Sequence, residues 1–134
     1  MDIYAIPPGD LRHVWPEVKA GLDKMPAEDW IAEDVYHAIK SGQASLHIGA
    51  NPGFAGFLVL EKRITQYSKL PTLHVWLAYN AGDADVFTAG LEMVRATARK
   101  VGASKITFGS PRPGWQKRFP LVTATYEIPI EESH

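Results

Sequence analysis

The sequence predicts an α/β domain, α+β in its strand order: one mixed, mostly antiparallel sheet with helices on both faces. Three observations predict it. The 134 residues are 46% hydrophobic and 22% charged, the composition of a globular domain that buries roughly two thirds of its unfolded surface. Period-two and helical apolar patterns follow one another in the order β, α, α, β, β, β, α, β, α, β. One long helical stripe also lies between two apolar strands, the mark of a right-handed β-α-β crossover with parallel strands. No repeat or linker divides the chain, so residues 1–134 are read as a single domain.

Taken in order, Asp2 to Ile6 alternates and stops at Pro7-Pro8-Gly9, a short strand. Asp10 is placed to cap a helix carrying Leu11, Trp15, Val18 and Leu22, and Pro16 is expected to break it or delay its start. Glu28 or Asp29 should open a second helix with Ile31, Val35, Ala38 and Ile39 inward and Gly42 as its C-terminal cap. Ser45–Gly49 and Gly56–Lys62 flank Asn51-Pro52-Gly53 and read as a hairpin. Thr72–Tyr79 alternates most clearly, with Leu73, Val75, Leu77 and Tyr79 on one face and His74 and Trp76 on the other. Asp83 or Asp85 then caps a long helix whose stripe is Phe87, Leu91, Val94, Ala98 and Val101, ending at Gly102. Lys105–Gly109 is a strand, Trp115–Phe119 a short helix and Thr123–Ile130 a last strand.

Charge and composition exclude several function classes. A net charge of −1, from 14 cations against 15 anions, gives no cation excess for binding nucleic acid. Without cysteine there is no thiol nucleophile, disulfide or Cys-ligated metal. The histidines at 13, 37, 47, 74 and 134 lack ligand spacing, so no metal is expected. No apolar run is long enough to span a membrane and the N-terminus has no signal-peptide pattern, which together predict a cytoplasmic protein.

The element order resembles the GNAT acyltransferase superfamily over nearly the whole chain. Val14-Trp15-Pro16-Glu17-Val18, Gly114-Trp115 and Tyr126-Glu127-Ile128 are similar to a divergent, phage-encoded branch of it. The resemblance implies an acyl-CoA-dependent N-acyltransferase, with acetyl-CoA as cofactor and a small amine or a protein as acceptor. It implies a Gln/Arg-x-x-Gly-x-Gly/Ala loop before the long helix, whose N–H groups hold the pyrophosphate. The matching stretch is Tyr79-Asn80-Ala81-Gly82-Asp83-Ala84-Asp85, with one glycine, no cation before it and two aspartates that repel a diphosphate. Tyr79 and Gly82 are thus the expected cofactor-binding residues, supported by the cations Arg112 and Lys117, with Arg118 beside them.

The same resemblance places a base near the fourth and fifth strands and a tyrosine acid on the short helix; the matching places offer His74 and Ser110 but no tyrosine, and Tyr126 lies on the following strand. A second reading is a non-catalytic GNAT-fold structural or assembly protein, a phage virion component, with a protein partner or a second copy on Trp15, Trp30, Trp76 or Trp115. The turn at Asn80–Asp85 separates the two. Free, converging N–H groups favour the enzyme, and a turn filled by an aspartate side chain favours the scaffold.

Overall fold

Alternating apolar residues build the strands and helical stripes build the helices of this computed structural model, which describes residues 1–25, 30–64, 71–82 and 84–109. Strand β1 (Asp2–Ile6) leads through a 3-10 turn (Pro8–Asp10) into α1 (Leu11–Asp23). Helix α2 (Ala32–Ser41) and strands β2 (Ala44–Ala50), β3 (Phe54–Ile64) and β4 (Pro71–Asn80) follow. Helix α3 (Val86–Lys100) then crosses over to β5 (Lys105–Phe108). The strands form one sheet in the order β1-β2-β3-β4-β5. Every neighbouring pair is antiparallel except β4 and β5, which are parallel across the expected crossover. The expected helix at 115–119 and strand at 123–130 lie outside the described residues. Among the described residues no helix is long and apolar enough to cross a membrane.

Helices cover both faces, as expected, and each face has its own core. On one side Leu11, Val18 and Leu22 of α1 and Val35 and Ile39 of α2 pack on Leu46, Phe57, Val59 and Leu77. On the other, Val86, Phe87, Val94 and Ala98 of α3 pack on Leu58, Leu60, Leu73 and Val75. Strand β3 serves both cores because its side chains alternate, Phe57 and Val59 one way and Leu58 and Leu60 the other.

Five expectations are corrected. Pro16 does not break α1, which runs unbroken from Leu11. Its missing N–H loses one bond, to the Arg12 carbonyl, and a break would expose Leu11, Val18 and Leu22, all buried. Asp10 does not cap: at φ −99° and ψ 0° it continues the 3-10 turn, and its side chain makes no capping bond. Helix α2 begins at Ala32, after an extended Ile31 whose N–H is accepted by Asp34 Oδ2 at 3.0 Å. Ile31 thereby leaves the apolar stripe and is 60% exposed, while Glu28 and Asp29 lie outside the described residues.

Strand β4 does not keep Leu73, Val75, Leu77 and Tyr79 on one face. Val59 is opposite Leu77 and Leu60 is opposite Val75, so Trp76 is an extra residue with no partner in β3. That bulge reverses the alternation: Leu73 and Val75 face α3, and Leu77 and Tyr79 join the α1–α2 core. On α3 the buried stripe is Val86, Phe87, Gly90, Val94 and Ala98, with Leu91 and Val101 only half-buried. The helix comes so close at Gly90 that a Cβ would lie 2.9 Å from Leu58 Cδ1, which turns Leu91 to the rim.

Two outcomes follow from this packing. Leu58→Ala, in the fully buried layer beneath Gly90, should cost about 2–5 kcal/mol in denaturant unfolding. Leu91→Ala should cost under about 1 kcal/mol, and equal losses would put Leu91 inside. The second concerns His47, 6% exposed on β2, with Nε2 2.9 Å from Ser45 Oγ. Burial lowers its pKa below 6.5, so the unfolded chain takes up the proton first. Its contribution to stability is complete above that value and lost as pH falls below it, by up to about 1.4 kcal/mol per pH unit. His47→Gln should flatten that slope in urea titrations, and an unchanged slope would assign the pH dependence to other groups.

Candidate functional site

The pairing of β4 with β5 is short. It runs from Thr72–Lys105 to Val75–Phe108, while β4 continues to Asn80. From Trp76 onward no described strand pairs with this edge of β4. Ala81 N–H donates to the Ala55 carbonyl at 2.8 Å, and antiparallel alternation then turns the main-chain groups of Ala78 and Asn80 toward the open edge. The bulge at Trp76 stands where the two strands part.

His74 lies just before that point. It is half-buried, with Nδ1 2.8 Å from Thr107 Oγ1 on the parallel partner strand. Glu61 is its cross-strand neighbour on β3 and forms an ion pair with Arg63. Burial lowers the His74 pKa below 6.5, the Arg63 cation lowers it further, and Glu61 opposes them. The imidazole is therefore neutral at pH 7. In the tautomer whose Nδ1–H donates to Thr107 Oγ1, Nε2 carries a lone pair and can accept a proton.

Of the other predicted site residues, the two that are described, Tyr79 and Gly82, do not gather around His74. Tyr79 is half-buried against the α1–α2 core, its ring stacked on Phe57 at 5.5 Å and packed against Gly21, where an added Cβ would lie 2.9 Å away. Gly82 sits in the turn before α3 with φ +65°, a conformation suited to glycine. Six residues of strand, or ~20 Å at ~3.3 Å each, separate His74 from Asn80. Ser110, Tyr126, Arg112 and Lys117, with Arg118, lie outside the described residues. Among the described residues no group of three His, Cys, Asp or Glu side chains could hold a metal ion.

The entrance to α3 is filled from within. Val86 N–H donates to Asn80 Oδ1 at 2.8 Å, and Thr88 N–H donates to Asp85 Oδ1 at 3.0 Å. Asp85 is thus the helix cap, as expected for one of the two aspartates. Asn80 was not foreseen in this role; its amide side chain, at a strand end beside a glycine turn, was the available signal. These groups do not fit the pyrophosphate of acetyl-CoA. Two first-turn donors already have acceptors, and one acceptor is a carboxylate that repels an anion.

Sequence reasoning also missed a cleft between α1 and α2, about 430 Å³, lined by Arg12, Trp15, Pro16, Glu33 and Tyr36. Trp15 and Tyr36 meet edge to face there at 4.9 Å. The cleft shares no lining residue with β4 or α3.

No protein-family model and no curated protein matches the chain. Solved structures do. A probable acetyltransferase superposes with a TM-score of 0.70 at 14% identity, over 99% of this chain and 100% of its own. A ribosomal-protein-alanine N-acetyltransferase from Brucella melitensis biovar Abortus 2308 gives 0.68 at 16% identity, over 97% and 100%. An aminoglycoside acetyltransferase from an uncultured soil metagenomic sample gives 0.67 at 11% identity, over 97% and 98%. The comparisons lend no support to the phage branch or to a virion component. With its mixed five-stranded sheet, three helices and one parallel crossover among the described residues, the chain has the GNAT fold of acetyltransferases.

Proposed function

We propose that this chain transfers an acyl group to an amine, with His74 as the base. The observation that carries the reading is a neutral, half-buried imidazole anchored by Thr107 where β4 and β5 part. An amine attacks a carbonyl carbon only as its free base, so a group that takes its proton lowers the barrier. As the nitrogen–carbon bond forms and the bond to the leaving group breaks, the amine proton passes to His74 Nε2. Thr107 fixes the ring, and the main-chain groups of Ala78 and Asn80 along the open edge offer hydrogen bonds to an extended donor. Tyr126 as the acid that protonates the leaving group, and Ser110 as a further polar group, belong to the proposal. Two of the similar structures are named for amine acceptors, a ribosomal-protein alanine and an aminoglycoside, which supports a small or protein-borne amine here.

One observation favours a second reading, a non-catalytic GNAT-fold domain that binds a protein partner: the entrance to α3 is occupied by Asn80 and Asp85.

Acyl transfer to a panel of amines, with acetyl-CoA and with the nucleotide-free thioester S-acetylpantetheine, decides between them. His74→Gln should lower the rate by about 10²–10⁴ while leaving the fold intact by circular dichroism. In the unmodified chain the rate should rise with pH below 6.5 and level above it, because the His74 pKa is lowered from that value and only the neutral ring accepts a proton. An unchanged rate in His74→Gln removes His74 from the chemistry. No turnover with either thioester favours the binding domain.

Thr107→Val tests the anchor. It keeps shape and removes the hydroxyl, so it should reduce kcat by roughly tenfold with little change in KM. A variant as active as the parent would show that the ring is oriented by packing alone.

A further inference from the structure

We propose that the donor used at this site carries no diphosphate, because the N-terminus of α3 is closed to one; the donor half of this statement rests on the acyl-transfer reading above. A helix N-terminus holds a diphosphate with the unpaired N–H groups of its first turn and of the loop before it. Here four of those groups are engaged. Ala81 N–H donates to the Ala55 carbonyl at 2.8 Å and Ala84 N–H to the Ala81 carbonyl at 3.4 Å. Val86 N–H donates to Asn80 Oδ1 and Thr88 N–H to Asp85 Oδ1. A diphosphate would have to displace two side-chain acceptors that cost no ligand entropy, and one of them is already an anion. The segment from Ala78 to Gly90 contains no lysine or arginine, and it adds Asp83 to Asp85. Both the hydrogen bonding and the charge of this loop therefore act against the nucleotide half of coenzyme A. Neither acts against an uncharged amide-bearing arm laid along the open edge of β4. The donor class is an acyl thioester whose carrier has no diphosphate at this position.

The test uses the nucleotide half alone, 3′-phosphoadenosine 5′-diphosphate, titrated to millimolar concentration into the labelled full chain. The amides of Gly82, Val86 and Thr88 should show no saturable shift in nitrogen–proton correlation spectra. Acetyl-CoA should then be used no better than S-acetylpantetheine, with kcat/KM values within about threefold. Saturable shifts at those amides, or a preference for acetyl-CoA of roughly tenfold or more, would overturn the proposal. Asp85→Ser keeps a capping oxygen and removes the carboxylate, so it should bind the nucleotide at least several-fold more tightly than the parent. A folded Asp85→Ser chain with unchanged affinity would overturn the assignment of the closure to this cap. If S-acetylpantetheine is not turned over either, the acyl-transfer reading fails, whereas the closure is still decided by the amide shifts.

Discussion

Strand β3 is the wall on which both cores rest, and the remaining architecture is arranged by what that wall requires. Six consecutive residues, Ala55 to Leu60, are buried, so neither face of the strand can meet water. Pleating sends Phe57 and Val59 to α1 and α2, and Leu58 and Leu60 to α3. A strand buried on both faces needs a neighbour on each edge for its main chain as well, and β2 and β4 supply these. Close approach is part of the arrangement. Gly56, at φ +149°, lies where a Cβ would be 2.0 Å from the Tyr79 carbonyl oxygen. Any side chain there would push β4 off the wall.

The bulge at Trp76 lets β4 serve two cores in turn. Below it the strand contributes Leu73 and Val75 to the α3 core; above it Leu77 joins the opposite one. The same extra residue stands where β5 ceases to pair. Packing and site are thus linked by one irregularity: the strand that changes faces is also the strand whose outer edge, among the described residues, loses its partner. His74 lies on the regular side of the bulge, where Thr107 of β5 can still reach it.

The entrance to α3 shows a competition between stability and anion binding. A first-turn N–H group satisfied by a side chain is worth on the order of 0.5–2 kcal/mol to the helix, and that donor is then withheld from a ligand. Asn80 and Asp85 settle the competition toward the helix. A fold shared with acetyltransferases therefore carries, in this chain, a helix end filled by its own side chains. The fold and the site are separate properties, and only the second depends on these two side chains.

Residue types and their spacing by themselves determined the order of the strands and helices as far as Phe108, the hairpin, the parallel crossover, an aspartate cap on α3 and helices on both faces. These depend on contacts between near neighbours or on alternation that persists along a segment. The acidic character of the loop before α3 was also legible, since charge does not depend on folding. Tertiary structure alone decided the unbroken α1, because burial of Leu11, Val18 and Leu22 outweighs the one hydrogen bond that Pro16 removes. It decided the bulge, because register is a property of two strands and Trp76 looks regular when β4 is read alone. It decided which stripe of α3 is inward, because Gly90 must meet Leu58. It also brought His74 to Thr107, 33 residues apart, and Asn80 to the amide of Val86. Each of these pairings joins groups on different elements, and periodicity within one element carries no information about the partner it will meet.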